Sequence, residues 1–181
     1  MSHAVKATRR HRKPLLVAAA FVVVVAGLGL WWFQPYKLLI DDKVDEALPA
    51  MPTVPGAGGG GAGAGAQPAT PPVVARGTVI GLSHRSSGEA LVLELPDGSR
   101  LLRFEDLKTD NGPDLRVYLS AAPAGGPGSA HNDDFVDLGG LKGNVGNQNY
   151  ELPAGVDLAR YRTAVVWCRR FSVGFAAADL S

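Results

Sequence analysis

Few residues in this 181-residue chain could do covalent or redox chemistry, and they are easily named. There is one cysteine, Cys168, within Val165-Val166-Trp167-Cys168-Arg169-Arg170. A lone thiol has three uses. It can cycle through sulfenic acid, form a mixed disulfide with a partner, or ligate haem iron as thiolate, with His84 as the opposite ligand. A His/Met haem pair is excluded, because Met1 and Met51 both lie outside the C-terminal region that carries His84 and Cys168. A single cysteine also excludes an internal disulfide framework, Cys-x-x-Cys zinc sites, Cys-x-x-Cys-His haem attachment and a lipidated cysteine as anchor.

Strand alternation sets two readings of that thiol. Side chains alternate faces along a strand, so Val166, Cys168 and Arg170 share one face and Val165, Trp167 and Arg169 the other. With the Trp167 face inward, Cys168 lies outside next to Arg170, a cation that stabilises the nucleophilic thiolate. With the Cys168 face inward, the thiol is a small buried hydrophobe, the commoner state of free cysteine. His84 follows an apolar stretch and precedes Arg85-Ser86-Ser87-Gly88, so it is either a ligand or a turn-capping surface histidine.

The remaining candidates are weaker. His131, Asp133 and Asp134 could hold a metal but read better as a polar loop, so no metal site is expected. Gly56, Gly58 and Gly61 spell a dinucleotide fingerprint that lacks its strand and helix. No nucleophilic triad or acid–base carboxylate pair stands out. No hydrolase is expected, and a redox or binding module fits these residues better than a turnover enzyme.

The elements that would position these residues fall into four parts. Residues 1–14 form a basic tail with Arg9, Arg10, Arg12 and Lys13. Residues 15–33 are an uncharged run, about 28 Å as a helix and long enough to span a bilayer. Basic residues before it and Asp41, Asp42, Asp45 and Glu46 after it place the N-terminus in the cytoplasm and the rest outside. A cleaved signal is disfavoured, because the run is long and ends in Trp31-Trp32-Phe33. Arg9-Arg10 hints at twin-arginine export, but Arg12 and Lys13 stand where that signal is hydrophobic. Residues 34–74, rich in Pro and Gly, read as a disordered linker.

Residues 75–181 change character, with short apolar stretches separated by turn residues every 8–12 positions. The stretches begin near 78, 90, 100, 115, 135, 148, 164 and 172, and Pro96-Asp97-Gly98 reads as a hairpin turn. Only 157–161 could make a helical turn. This is the pattern of an all-β, antiparallel β-sandwich of about seven or eight strands. The region carries 11 Lys/Arg against 13 Asp/Glu, which excludes an electrostatic footprint for nucleic acid.

Within that region the residues carry a family likeness. Gly77, His84, Gly88 and Phe104 are followed by Gly112-Pro113-Asp114 and Val117-Tyr118-Leu119-Ser120. Leu138-Gly139, Leu141-Lys142-Gly143-Asn144, Gly146, Tyr150 and Leu152-Pro153 come next, then Tyr161, Val166-Trp167-Cys168 and Phe171. In order and spacing this resembles the electron-transfer DM-thirteen family, β-sandwich modules related to haem- and sugar-binding DOMON domains. The resemblance implies a redox role centred on Cys168, with haem a possible cofactor and an unidentified redox partner.

Two functions therefore stand at this level. One is a membrane-anchored extracytoplasmic redox module that uses Cys168. The other is an adhesion sandwich with a structural cysteine, whose loops 83–88, 109–114 and 121–134 meet a cell-surface ligand. The orientation is directly checkable. Protease added outside intact spheroplasts should clip the Gly/Pro-rich stretch, and protection of the full-length chain would refute an outward-facing domain.

Overall fold

A computed structural model describes residues 12–33, 40–49 and 70–181. Most of the expected basic tail (1–11), and the parts 34–39 and 50–69 of the expected linker, lie outside the described residues. Two units are distinguished, one at the N-terminus and one comprising the remainder from Leu38.

The first unit contains helix α1, Arg12–Phe33. Its 22 residues amount to about 33 Å of helix. Side chains from Pro14 to Trp32 are almost all exposed, and this stretch has a mean hydropathy of 2.4. A helix that is apolar on every side has no polar face to offer water. Its length and composition are those of a membrane span or an export signal.

The second unit is a β-sandwich of ten strands in two five-stranded sheets. They are β1 (Lys43–Asp45), β2 (Val73–Thr78), β3 (Ile80–Gly81), β4 (Ser87–Glu94), β5 (Arg100–Lys108), β6 (Leu115–Ser120), β7 (Phe135–Gly140), β8 (Val145–Glu151), β9 (Thr163–Cys168) and β10 (Val173–Asp179). The first sheet runs β1-β8-β5-β4-β2 and the second β3-β10-β9-β6-β7. The all-β sandwich expected from the sequence is the fold found. The Asp97-Gly98 turn closes the β4–β5 hairpin, where Ser99 donates through its backbone N–H and its hydroxyl to the Asp97 carboxylate. A hydrogen-bonded turn forms at 157–161, with Tyr161 N–H donating to the Asp157 carbonyl.

The main core lies between the sheets. Val92, Leu102 and Phe104 from the first sheet meet Val117, Leu119, Val166, Cys168 and Ala178 from the second. A second cluster covers the outer face of the second sheet, built from Tyr118, Val165, Trp167 and Ala177 with Ala124, Leu82 and Phe135. Burial therefore extends to both faces of β9, whose six residues are all buried. The sequence reading offered one buried face or the other. The segment after β6, with its short 3-10 helix Gly128–Asn132, contributes to the outer cover.

Strand β1 corrects the expected linker. It lies within 34–74, yet it pairs in parallel with β8, Val44 opposite Gly146 and Asp45 opposite Asn147. Polar side chains supply the attachment. Asn144 Oδ1 accepts from Asp42 N–H at 2.7 Å, and Asn144 Nδ2 donates to Asp41. The Glu46 carboxylate takes Lys142 Nζ at 2.7 Å and Asn149 N–H at 2.7 Å. Its hydrogen bond from Lys142 holds Glu46 below the usual carboxylate range. Gly143 and Gly146 make the approach possible. A Cβ at either would collide with the carbonyl of Asp42 or Val44, and Gly146 has φ +110°. The composition signal failed here because docking used backbone and polar groups, which hydrophobic patterning does not register.

β1 and β2 form the two outer edges of one sheet. β1 and β2 are thus far apart in that sheet although they are consecutive in the chain. Removing β1 leaves the β8 edge unpaired, a liability for aggregation. Residues 38–181 should be more stable to urea than 70–181, which keeps β2 whole, by about 1 kcal/mol for each hydrogen bond lost. Gly146→Ala in the longer chain should reproduce much of that loss, costing roughly 1–3 kcal/mol. Equal midpoints for the two chains would show that β1 contributes nothing.

Candidate functional site

Cys168 ends β9 and is completely buried. Leu115 of β6 and Val173 of β10 are its neighbours across the two ladders. Its side chain belongs to the inter-sheet core with Leu115, Val117, Val166 and Phe175. Phe175 reaches that core because the β9–β10 register shifts between Gly174 and Ala176. The thiol is free of any disulfide.

Beyond Cys168 the strand stops. Residues 169–172 form an exposed turn, Ser172 having φ +52°. Alternation ends with the strand, so it no longer sets the direction of Arg170, which is exposed in the turn. Arg169 is tied down. Its backbone N–H donates to the Asp114 carbonyl and its Nε to the Asp114 carboxylate, each at 2.9 Å.

His84 lies on the loop after β3. Its ring stacks on Phe175 with centroids 3.7 Å apart, and Nδ1 donates to the Asp110 carboxylate at 2.9 Å. Loops 83–88 and 109–114 therefore meet, a contact reinforced by Ser86 and Thr109 at 2.8 Å. A cleft of about 350 Å³ opens there between Asp41, Arg85, Lys108 and Asp110. The third nominated loop, 121–134, goes elsewhere. Ala124 N–H donates to Asp179, which also accepts from Thr163 at the far end of β9 from Cys168.

Cys168 and His84 do not offer an axial haem pair as packed. The thiol is enclosed by core side chains, while the imidazole has a face laid on Phe175 and one nitrogen bonded to Asp110. A haem would require the sheets to part at Leu115 and Phe175. His131, Asp133 and Asp134 also fail to converge. Asp134 accepts from Arg160 and Tyr161, His131 is buried, and among the described residues no three such side chains could hold a metal.

The family model described as electron transfer DM13 matches residues 78–180. The chain belongs to the DM13 family. No curated protein and no solved structure matches it significantly. The matched span begins at residue 78, so β1 and nearly all of β2 lie outside it.

Two features of the DM13 domain went unread in the sequence. One is the outer-face aromatic stack. Tyr118 lies 6.4 Å from Trp167 and 4.2 Å from Phe135, centroid to centroid. Burial holds the Tyr118 phenol above its ordinary pKa, and the charge of Asp137 adds to the effect against Arg116 and Arg169. The continuous apolar run of β9 was the available signal, since strands buried on both faces lose alternation.

The other is His131, which is fully buried and, among the described residues, has no hydrogen-bond partner on either ring nitrogen. Burial lowers its pKa, opposed by the charge of Asp179 and the nearby Ala124 carbonyl. Because the folded value is depressed, the unfolded chain takes up the proton first as pH falls. Stability should therefore decline below about pH 6.5, by at most about 1.4 kcal/mol per pH unit. The depressed carboxylates of Glu46 and Asp134 lose their contribution only at more acid pH. His131→Leu should flatten the decline between pH 6.5 and 5 in urea titrations, and an unchanged slope would remove His131 as its source.

Proposed function

We propose that this DM13 chain is a membrane-anchored extracytoplasmic redox module whose reactive group is Cys168, gated by the turn at 169–172. The observation that carries the reading is the position of the sulfur. It ends a strand, under an exposed turn that joins β9 to β10. The ion pair on that turn is weak, because Arg169 is 59% exposed, and exposed pairs contribute roughly 0–1 kcal/mol. Local opening costs less than global unfolding. Opening that spreads from the turn into the ends of β9 and β10 lets water and a partner reach Sγ, while the rest of the sandwich stays folded.

The chemistry on opening is thiol exchange. The thiol releases its proton to solvent, and the thiolate attacks one sulfur of a partner's disulfide. A new S–S bond forms as the old one breaks, and the second partner sulfur leaves as thiolate. Arg170, on the same turn, is the cation that stabilises Cys168 as thiolate once it is hydrated. The basic N-terminal flank and the length of α1 support a span with the domain outside.

Complete burial of Cys168 favours a second reading, a ligand-binding sandwich with a structural cysteine, in which the cleft between loops 83–88 and 109–114 is the contact region. Iodoacetamide labelling separates the two. In the redox reading the folded protein is alkylated well faster than it unfolds globally. Asp114→Ala, which removes the ion pair and leaves only the backbone bond from Arg169 N–H, should accelerate labelling severalfold with little change in urea midpoint. Labelling only at the rate of global unfolding, in parent and variant alike, would establish the structural reading.

A further inference from the structure

The outer face of the second sheet carries a group with one-electron chemistry that is separate from the thiol. Trp167 and Tyr118 are 2% and 1% exposed, with ring planes inclined at 26°. They stand diagonally on adjacent strands, since β6 pairs Tyr118 with Val165 and Arg116 with Trp167. Indole and phenol are the aromatic side chains most easily oxidised by one electron, and centroids 6.4 Å apart are close enough for transfer in one tunnelling step. Phe135 is not oxidisable at comparable potentials and serves as cover. On its other flank Tyr118 pairs across β7 with Asp137. The Asp137 carboxylate accepts from Arg116 and from Gly139 N–H, and it is one-third exposed.

We propose that Trp167 and Tyr118 form a one-electron relay within this electron-transfer domain, with Asp137 as its proton acceptor. An outer-sphere oxidant takes one electron from the Trp167 indole, leaving a radical cation. Tyr118 passes one electron to that radical and restores the indole. The oxidised phenol is strongly acidic, and its proton goes to the Asp137 carboxylate and from there to solvent. The net change is one electron gained by the oxidant, one lost by Tyr118, and one proton released. A one-electron donor of the ascorbate class, with a proton from solvent, returns the tyrosyl radical to phenol. None of these steps uses Cys168, so the relay stands or falls apart from the thiol reading.

The test uses the full chain in detergent with Trp31→Phe and Trp32→Phe, which leaves Trp167 as the sole tryptophan of three. Azide radical from pulse radiolysis is the oxidant. The indolyl absorption should decay in a first-order, concentration-independent phase while tyrosyl absorption rises. Tyr118→Phe should abolish that phase, Asp137→Asn should slow it, and Tyr161→Phe should leave it. Persistence of the phase in Tyr118→Phe would overturn the relay. So would its loss in Cys168→Ala with Tyr118 in place, or decay of the indolyl radical only between molecules. 3-Fluorotyrosine at position 118 preserves the packing and should alter the electron paramagnetic resonance splitting of the radical. An unaltered spectrum would place the radical on another tyrosine and refute the proposal.

Discussion

The burial of β9 on both faces is the constraint from which the arrangement of the β unit follows. The strand lies between β6 and β10, so its backbone is committed to two ladders from Thr163 to Cys168. Its side chains feed two separate cores. Val166 and Cys168 pack between the sheets, while Val165 and Trp167 pack under Tyr118, Ala177 and Ala124. A strand with no solvent face needs cover on its outer side, and the segment after β6 joins Leu82 and Phe135 in providing it. The same arrangement separates the sulfur from the aromatic stack by one residue along the chain and by the thickness of the sheet.

The first sheet meets a different requirement. Its β8 edge would present unpaired backbone groups, and β1 occupies it through Asn144, Asn147, Glu46 and Arg103 rather than through an apolar face. Tyr150 and Gln148 complete the network from inside. The Tyr150 hydroxyl donates to Gln148 Oε1 and accepts from Lys142 N–H, and burial drives the phenol far above its ordinary pKa. Polar groups buried this way are stabilising only when satisfied. Gln148 Nε2 accordingly donates to the Gly143 carbonyl, which fixes the loop that β1 rests on.

The candidate site was legible in its members and illegible in its arrangement. Cys168 stands out as the one thiol, and His84 and Arg170 as its nearest candidates for partners. The structure seals the sulfur among Leu115, Val117 and Phe175, gives His84 to Asp110 and Phe175, and ends β9 before Arg170. Each outcome depends on a non-local feature. The register shift that turns Phe175 inward and the turn that ends alternation at Cys168 arise where β9 meets β10. His131 shows the same limit. A histidine in a Gly/Ser-rich segment reads as polar surface, and only the docking of that segment against β10 removes it from water.

The sequence by itself determined the apolar N-terminal helix, the all-β class, most strand positions, the Asp97-Gly98 hairpin and the DM13 likeness. Those properties are written in local periodicity, turn chemistry and ordered short motifs. Tertiary structure alone decided that β9 has two buried faces, that Tyr118 meets Trp167, and that Lys43–Asp45 is a strand of the domain. The physical reason is common to all three. Alternation says which residues share a face, but what covers that face comes from segments distant in the chain. The attachment of β1 to β8 relies on backbone pairing and Asn/Glu/Lys hydrogen bonds across about a hundred positions, a contact that leaves no hydrophobic period to read.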